Sequence, residues 1–228
     1  GGLNCMIVDS SALPEHVVKD VVNSGFDSAG QRCSACRILC VEENVYKKIK
    51  DTLIGAMNTQ NIGNPEKLST DIGPVIDEEA YNNIKKHIDN FDNVYQTNFQ
   101  NDLGYFIPPT LIEIKKLSDL KNEVFGPVVS TEAWQNEDEV IRIANDSVYG
   151  LAAGIWSQDV TKAMRMADQI EAGTVYINNY FNAATQSPVG GFKQSGYGRE
   201  NGIEGMRCFL QTRSVWLATN PHQPDPFA

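Results

Sequence analysis

Residues 5–57 read CMIVDSSALPEHVVKDVVNSGFDSAGQRCSACRILCVEENVYKKIKDTLIGAM, and this stretch decides the fold. The apolar run at residues 5–8 predicts a buried strand, and the valines after it are spaced as on one face of a helix that begins at Pro14. The alternation repeats with an apolar strand at residues 37–41 and a helical period over residues 43–57. This βαβα order predicts an open, mostly parallel twisted sheet flanked by helices.

The rest of the chain continues the pattern with irregular stretches between its elements. Residues 123–129 predict a turn that leads into a strand, and residues 106–112 predict extended chain that its two prolines limit to an edge or a bend. Residues 182–201 are glycine-rich and predict a structured loop. Further helices are predicted at residues 77–91, 137–145 and 160–170, further strands at residues 152–156, 174–178 and 208–217, and one short strand within residues 90–104.

The charge of the chain limits its partners. The 228 residues carry a formal net charge of −10, with a pI near 4.8. Nucleic acids and anionic membranes bind basic surfaces, so this charge argues against both and favours a small-molecule substrate. The sequence has no apolar run near the ~20 residues that span a bilayer, and we expect a cytoplasmic protein. Its five cysteines are odd in number and sparse, which favours free thiols.

The strongest candidate for chemistry is Cys33, which ends the stretch Phe-Asp-Ser-Ala-Gly-Gln-Arg-Cys at residues 26–33. A helix ends just before it, and a glycine-containing turn delivers the thiol close to Arg32 and to peptide dipoles that favour the thiolate. This arrangement predicts a buried but reachable nucleophile that forms a covalent thio-adduct. The alternative is an inert packing cysteine, because most buried cysteines are inert.

Cys33, Cys36 and Cys40 also form a Cys-x2-Cys-x3-Cys cluster. A zinc site needs a fourth ligand, usually from a second knuckle, and none is evident, so we predict no metal. The histidines at positions 16, 87 and 222 do not pair with a cysteine in any evident way, which disfavours a cysteine protease.

Two further stretches suit a ligand. Glu123 precedes a Phe-Gly-Pro turn, where a carboxylate can accept hydrogen bonds from hydroxyl groups, although an isolated loop glutamate is more often only solvated. Residues 187–200 read SPVGGFKQSGYGRE, and their glycines allow a ligand to approach the backbone closely. This loop has neither the Walker order nor the dinucleotide fingerprint, so its spacing alone indicates only an ordered loop.

Taken together and in order, four blocks of the sequence resemble the NAD(P)-dependent aldehyde dehydrogenase superfamily. The blocks are Gly-Gly-Leu-Asn at residues 1–4, Gly-Gln-Arg-Cys at residues 30–33, Glu-Val-Phe-Gly-Pro at residues 123–127 and the glycine-rich loop at residues 190–200. The resemblance implies a catalytic domain over residues 1–205 and an oligomerisation strand within residues 206–217. The proline-rich, polar composition of residues 218–228 predicts a mobile tail.

The resemblance also implies a role for individual residues. Cys33 resembles the nucleophile that attacks the aldehyde carbon, and its backbone N–H would lie in the oxyanion hole. Glu123 resembles the carboxylate that holds the nicotinamide ribose of NAD, with Phe125 beside the ring, and NADP is equally compatible. The reaction implied is oxidation of a small aldehyde to a carboxylate through a thiohemiacetal and a thioester, in a full-length protein that is a homo-oligomer.

The chain departs from the family pattern at its start. The family has a general-base glutamate just upstream of the Gly-Gly pair, a Rossmann-type cofactor domain and an oxyanion-hole asparagine, and this sequence begins after all of them. Because residues 1–4 lack an initiator Met and lead directly into an apolar strand, we expect a fragment. We expect the fragment alone neither to bind NAD appreciably nor to oxidise aldehydes.

The two halves of the chain point to different substrates. Residues 1–112 resemble the L-glutamate γ-semialdehyde (1-pyrroline-5-carboxylate) dehydrogenases, including those within bacterial proline-utilisation proteins. From about residue 132 onward the sequence resembles general or betaine-type aldehyde dehydrogenases. For the semialdehyde, Ser34, Ser195 and Gly196 resemble the groups that bind the substrate α-carboxylate. Alternatively, Ser34 is only a small neighbour of the nucleophile and Ser195 a turn residue.

Two other classes of protein compete with the dehydrogenase. One is a non-catalytic structural or interaction module with the same fold, in which Cys33 would be unreactive. The other is a thiol oxidoreductase that forms a Cys33–Cys36 disulfide, although the Trp-Gly-Pro-type residues of a thioredoxin-like helix start are missing.

Overall fold

The computed structural model describes residues 1–99, 104–120 and 122–219. Its strands are β1 (Asn4–Val8), β2 (Cys36–Glu42), β3 (Val94–Gln96), β4 (Thr110–Glu113), β5 (Val128–Trp134), β6 (Tyr149–Gly150), β7 (Ala152–Trp156), β8 (Thr174–Ile177) and β9 (Phe192–Lys193). Its helices are α1 (Pro14–Gly25), α2 (Glu43–Met57), α3 (Glu78–Ile88), α4 (Glu137–Asn145), α5 (Val160–Ala167) and α6 (Gly202–Arg207). Among the described residues, no helix has the length and apolar character needed to cross a membrane.

One twisted sheet organises the chain and confirms the predicted fold class. Seven strands lie in the order β3-β4-β5-β2-β1-β7-β8. All neighbouring strands are parallel except β3 and β4, which are antiparallel. The short strands β6 and β9 form a separate antiparallel pair. Helices pack on the sheet, as the βα alternation of the sequence predicts.

The central position of β1 explains its sequence. All five of its residues are buried, because it has a strand on each side and helices cover the sheet. The helix that follows starts with Pro14 in its first turn, where the missing N–H costs no hydrogen bond. Its four valines at positions 17, 18, 21 and 22 face the core and are buried. The predicted helix over residues 43–57 has the same bounds as α2.

The prolines near β4 act differently from the prediction. Both Pro108 and Pro109 precede the strand, which begins at Thr110. The strand therefore keeps all of its N–H groups and lies inside the sheet, between β3 and β5. The short strand predicted within residues 90–104 is β3, and it occupies the edge.

The C-terminal segment departs from the strand predicted over residues 208–217. α6 ends at Arg207, and the chain described beyond it, up to residue 219, pairs with no strand. A strand is stable only when a neighbour satisfies its backbone groups, and no described strand borders this segment. Its apolar side chains are exposed: Phe209, Leu210, Val215, Trp216 and Leu217. Residues 220–228 of the predicted tail lie outside the described residues.

The carboxyl ends of β1 and β7 hold a buried ion pair. This is where the strand order reverses, the usual place for a ligand in an open parallel sheet. Asp9 follows β1, is 5% exposed at its side chain, pairs with Lys162 of α5 and accepts a hydrogen bond from Ser157 at 2.8 Å. Burial alone would raise the pKa of Asp9, but hydrogen bonds from Lys162, Ser11 and Ser157 and the Lys162 charge outweigh it and hold the pKa well below its ordinary value.

We expect Asp9→Asn to lower the free energy of unfolding by about 2 kcal/mol at neutral pH, because it removes the hydrogen-bonded partner of the half-buried Lys162 charge and leaves only Glu42, 4.0 Å away. Asp51→Asn is the control, since Asp51 forms only an exposed pair with Lys47 and its loss should cost about 0.5 kcal/mol or less. The lowered pKa means that ionised Asp9 stabilises the fold above its unfolded pKa of about 4 and that this contribution is lost as the pH falls below that value. In urea unfolding, the difference in free energy of unfolding between wild type and Asp9→Asn should therefore shrink as the pH is lowered from about 5 to about 3. A difference that stays constant would show that ionised Asp9 does not stabilise the fold.

Candidate active site

The turn that carries Cys33 joins α1 to β2. It begins with a single 3-10 turn, Asp27–Gly30, in which Ser28, Ala29 and Gly30 have left-handed φ angles of 56°, 53° and 66°. Two of these three residues are not glycine, so the backbone is strained, and such strain is concentrated at functional sites. The sequence predicted a buried but reachable thiol, whereas Cys33 is exposed in the described chain.

The side-chain amide of Asn4 holds this turn against the sheet. Asn4 opens β1 and is 2% exposed. Its Nδ2 donates to the carbonyl of Cys33 at 2.9 Å and to the carbonyl of Ala35 at 2.8 Å. Its Oδ1 accepts from the N–H of Ala152, at the start of β7, at 3.1 Å. One buried side chain thus fixes the turn that carries Cys33 relative to two strands.

The N–H groups at the tip of the turn are unengaged. The Tyr180 hydroxyl donates to the Ser34 carbonyl at 3.0 Å, and the Ala35 N–H donates to the Arg32 carbonyl at 3.1 Å. Within the described part of the chain, the N–H groups of Cys33 and Ser34 have no acceptor. Backbone N–H groups held beside a nucleophile without a partner can donate to a developing oxyanion.

A second loop, residues 122–127, carries Glu123 and Phe125. Glu123 lies against the start of the chain, because a Cβ built on Gly1 would be 2.3 Å from its Oε2. Its Oε1 is buried, and no donor among the described residues reaches it. The ring of Phe125 is 45% exposed. Glu123 and Phe125 line a cavity of about 620 Å³ together with α3, and Cys33 is not among the lining residues.

The glycine-rich loop packs on the same segment. Ser195 Oγ donates to the Gly1 carbonyl at 2.8 Å and accepts from the Gly150 N–H at 2.9 Å. The hydroxyl expected to bind a substrate carboxylate is therefore engaged by the backbone, which favours the turn role for Ser195. Gly196 is exposed, with a φ of 137°. Ser34 is half-buried, and its hydroxyl makes no hydrogen bond within the described chain.

Residues 1–4 are where the four blocks meet. Gly1 contacts the Glu123 carboxylate and bonds to Ser195, and Asn4 bonds to the Cys33 carbonyl. Residues far apart in the sequence thus form one site, which lies at the amino ends of β1, β2, β5 and β7. Residues 1–4 thus contact both the turn that carries Cys33 and the loop whose Glu123 lines the cavity.

Two residues of this site, Asn4 and Arg37, had no predicted role. Arg37 lies at the start of β2 and is 3% exposed. Its guanidinium donates to carbonyls of both loops, including that of Gly126 at 2.8 Å and that of Gly30. The sequence signal for both residues is a strongly polar side chain at the start of an apolar strand, where burial requires hydrogen-bond partners.

The other cysteines do not group with Cys33. Cys36 and Cys40 are buried in β2, and the Sγ of Cys40 lies 3.5 Å from that of Cys5. Burial raises the pKa of the Cys36 thiol, which keeps it protonated and unlike a redox-active thiol. In the described ranges, no three His, Cys, Asp or Glu side chains are arranged to hold a metal ion.

Comparison with known proteins establishes the family. Residues 1–215 match the Aldehyde dehydrogenase family, and the chain belongs to it. The bifunctional protein PutA of Klebsiella aerogenes is 43% identical over 217 residues, which cover 89% of this chain and 16% of PutA. Betaine aldehyde dehydrogenase of Bacillus subtilis is 34% identical, over 97% of this chain and 47% of that protein.

Solved structures agree with the fold. A betaine aldehyde dehydrogenase from Staphylococcus aureus in complex with NAD+ superposes with a TM-score of 0.92 at 36% identity. The match covers 100% of this chain and 48% of that one. The chain therefore has the aldehyde dehydrogenase fold and spans less than half the length of the relatives it matches.

We expect Asn4→Ala to lower the free energy of unfolding by about 3 kcal/mol, because it removes three hydrogen bonds and leaves buried backbone groups unpaired. The control is Asn44→Ala, which removes one exposed side-chain hydrogen bond to Glu42 and should cost about 0.5 kcal/mol or less. Chemical denaturation measures both changes. Equal effects of the two substitutions would show that Asn4 does not hold the turn.

Proposed function

We propose that this chain is the catalytic portion of an aldehyde dehydrogenase, with Cys33 as the nucleophile. The observation that carries the proposal is the convergence of Cys33, Glu123 and the glycine-rich loop on residues 1–4, beside two N–H groups that have no acceptor among the described residues. Membership of the aldehyde dehydrogenase family supports the reaction class. The product is the carboxylate of the aldehyde that enters the site.

The residues of the turn suit attack on a carbonyl. The Cys33 thiolate attacks the aldehyde carbon, a C–S bond forms, and the carbonyl π electrons move to the oxygen. The N–H groups of Cys33 and Ser34 donate to that oxygen and favour the tetrahedral oxyanion over the planar carbonyl. After hydride loss, Cys33 carries a thioester, and water hydrolyses it to the carboxylate and the free thiol.

The cavity beside Glu123 suits the nicotinamide end of NAD or NADP. The buried Oε1 of Glu123 has no donor among the described residues and can accept a hydrogen bond from a ribose hydroxyl. The partly exposed ring of Phe125 lines the same cavity and offers an apolar face. When bound, the cofactor accepts the hydride. The NAD+ complex of the S. aureus enzyme supports this use of the fold.

For the substrate we infer L-glutamate γ-semialdehyde, oxidised to L-glutamate in proline catabolism. The identity of 43% to PutA, against 34% to the B. subtilis betaine enzyme, supports this choice. The free hydroxyl of Ser34 and the exposed backbone of Gly196 can donate to an α-carboxylate. Ser195 would have to exchange its backbone partners to do the same.

Betaine aldehyde is the second candidate substrate. The superposition on the S. aureus betaine aldehyde dehydrogenase, with a TM-score of 0.92 over the whole chain, favours it. A quaternary ammonium substrate has no carboxylate, so Ser34 and Gly196 would then have no anionic group to which they could donate. The semialdehyde therefore requires Ser34 and Gly196 as hydrogen-bond donors, whereas betaine aldehyde does not.

We further propose that the full-length protein is a cytoplasmic homo-oligomer. Residues 1–205 form the catalytic domain, and residues 206–217 form the segment that pairs with a second copy. The exposed apolar side chains of that segment support the pairing, because large exposed apolar patches mark interaction surfaces. A reducing compartment suits a nucleophile that must remain a free thiol.

The test is turnover of the protein expressed at the full length of its gene, followed by the appearance of reduced cofactor. We expect kcat/KM for L-glutamate γ-semialdehyde to exceed that for betaine aldehyde by about tenfold or more, since only the former offers a carboxylate to charge-assisted hydrogen bonds. Cys33→Ser should lose about a thousandfold or more of the activity, whereas Asp51→Asn, which removes only an exposed ion pair on α2, should retain it.

Each outcome of that assay separates two interpretations. A preference for betaine aldehyde would end the semialdehyde proposal and leave the enzyme class intact. An active Cys33→Ser variant would show that Cys33 is not the nucleophile. If neither the wild type nor any variant oxidised an aldehyde, the non-catalytic module would be favoured.

A further inference from the structure

Arg37 is a buried cation whose partners are backbone carbonyls. Its side chain is 3% exposed, and it forms no ion pair with a carboxylate within 4.0 Å among the described residues. A buried charge requires hydrogen bonds, and the two Nη atoms of the guanidinium group donate to three carbonyl oxygens, while the buried Nε has no partner among the described residues. Its Nη1 donates to Gly126 at 2.8 Å, and its Nη2 donates to Gly30 and, at 3.4 Å, to Arg32.

These carbonyls belong to the two loops of the site. Gly30 and Arg32 lie within the nucleophile turn, and Gly126 follows Phe125 in the second loop. The loops touch, because a Cβ built on Gly30 would be 2.1 Å from the Gly126 carbonyl oxygen. The carbonyl oxygens of Gly30 and Gly126 both accept hydrogen bonds from the same guanidinium group, so the cation attracts both loops.

Arg37 also acts on the side chains of the second loop. Its guanidinium carbon lies 5.6 Å from the centroid of the Phe125 ring, within the range of a cation–π interaction. Burial lowers the pKa of Arg37, and the negative charge of Glu123 partly offsets that effect. The cation is thus attracted to both residues assigned to the cofactor.

We propose that Arg37 is a positioning residue that locks the nucleophile turn to the loop carrying Glu123 and Phe125, so that the thiol and the cofactor-binding residues keep a fixed relative placement. This inference rests on the proposed function for its consequence in catalysis. The lock itself depends only on the geometry of the two loops.

Arginine is specifically required for such a lock. Its planar guanidinium presents donors in a fixed fork and can bond two backbone segments at once. A lysine at position 37 would keep the charge but concentrate its donors on one nitrogen. It could then satisfy one loop, and the other would be left with unpaired buried carbonyls.

The experiment compares Arg37→Lys and Arg37→Met with wild type by amide hydrogen exchange in the full-length protein. We expect exchange in peptides from residues 27–35 and from residues 122–128 to accelerate together by about tenfold or more in both variants, because charged hydrogen bonds to both loops are lost. Peptides from α2 should keep their wild-type rates. The matched control is Arg165→Met, whose arginine pairs with Glu137 away from the site.

The outcomes are decisive in both directions. Acceleration confined to residues 27–35, or a normal rate in both loops of Arg37→Lys, would overturn the lock. Acceleration that includes α2 in both variants would mean general destabilisation and would also overturn it.

A kinetic readout then tests the consequence for catalysis. In the full-length protein, Arg37→Lys should raise KM for the cofactor and lower kcat, each by about tenfold, because both loops move. If KM and kcat were unchanged although hydrogen exchange in both loops was faster, Arg37 would have no role in catalysis. A wild type that oxidises no aldehyde while its loops respond as expected would instead contradict the proposed function.

Discussion

The hydrogen bonds of the Asn4 side chain are the interaction on which the site depends. This amide lies at the amino end of the central strand and joins the nucleophile turn to the start of β7. It occupies the carbonyls of Cys33 and Ala35, while the N–H groups of Cys33 and Ser34 have no acceptor among the described residues. The same short segment carries Gly1, against which the Glu123 carboxylate and the Ser195 hydroxyl pack. One strand start therefore sets the positions of three loops.

The two ends of the sheet carry different groups. In an open parallel sheet, a ligand usually binds at the carboxyl ends of the strands where their order reverses. Here that place is filled by Asp9 and Lys162, which pair with each other and with serine hydroxyls. The proposed chemistry lies instead at the amino ends, where the segments entering the strands converge. The ion pair stabilises the fold, and the strained turn around Ser28 and Ala29 lies at the end proposed for catalysis.

Most of the sheet and its helices could be predicted from periodicity, because each signal is local. The helix over residues 43–57 has the predicted bounds, and the apolar run at residues 5–8 lies within β1. The site could not be predicted from periodicity in the same way. Its four blocks meet only because of the order of the strands in the sheet, and spacing along the sequence does not encode that order. The roles of Asn4 and Arg37 depend on which carbonyls the fold places beside them. The strand predicted at residues 208–217 is absent from the described chain because pairing needs a neighbour that this chain does not supply.

The central claim is that Cys33 carries the acyl group during oxidation of an aldehyde. The most direct measurement is an acid quench of the full-length protein during turnover, followed by digestion and mass spectrometry of the peptide that contains Cys33. The account predicts an acyl adduct of the substrate on Cys33 that disappears when the substrate is exhausted, with the free thiol restored. Product formation with Cys33 unmodified throughout, or with the acyl group on another residue, would contradict it.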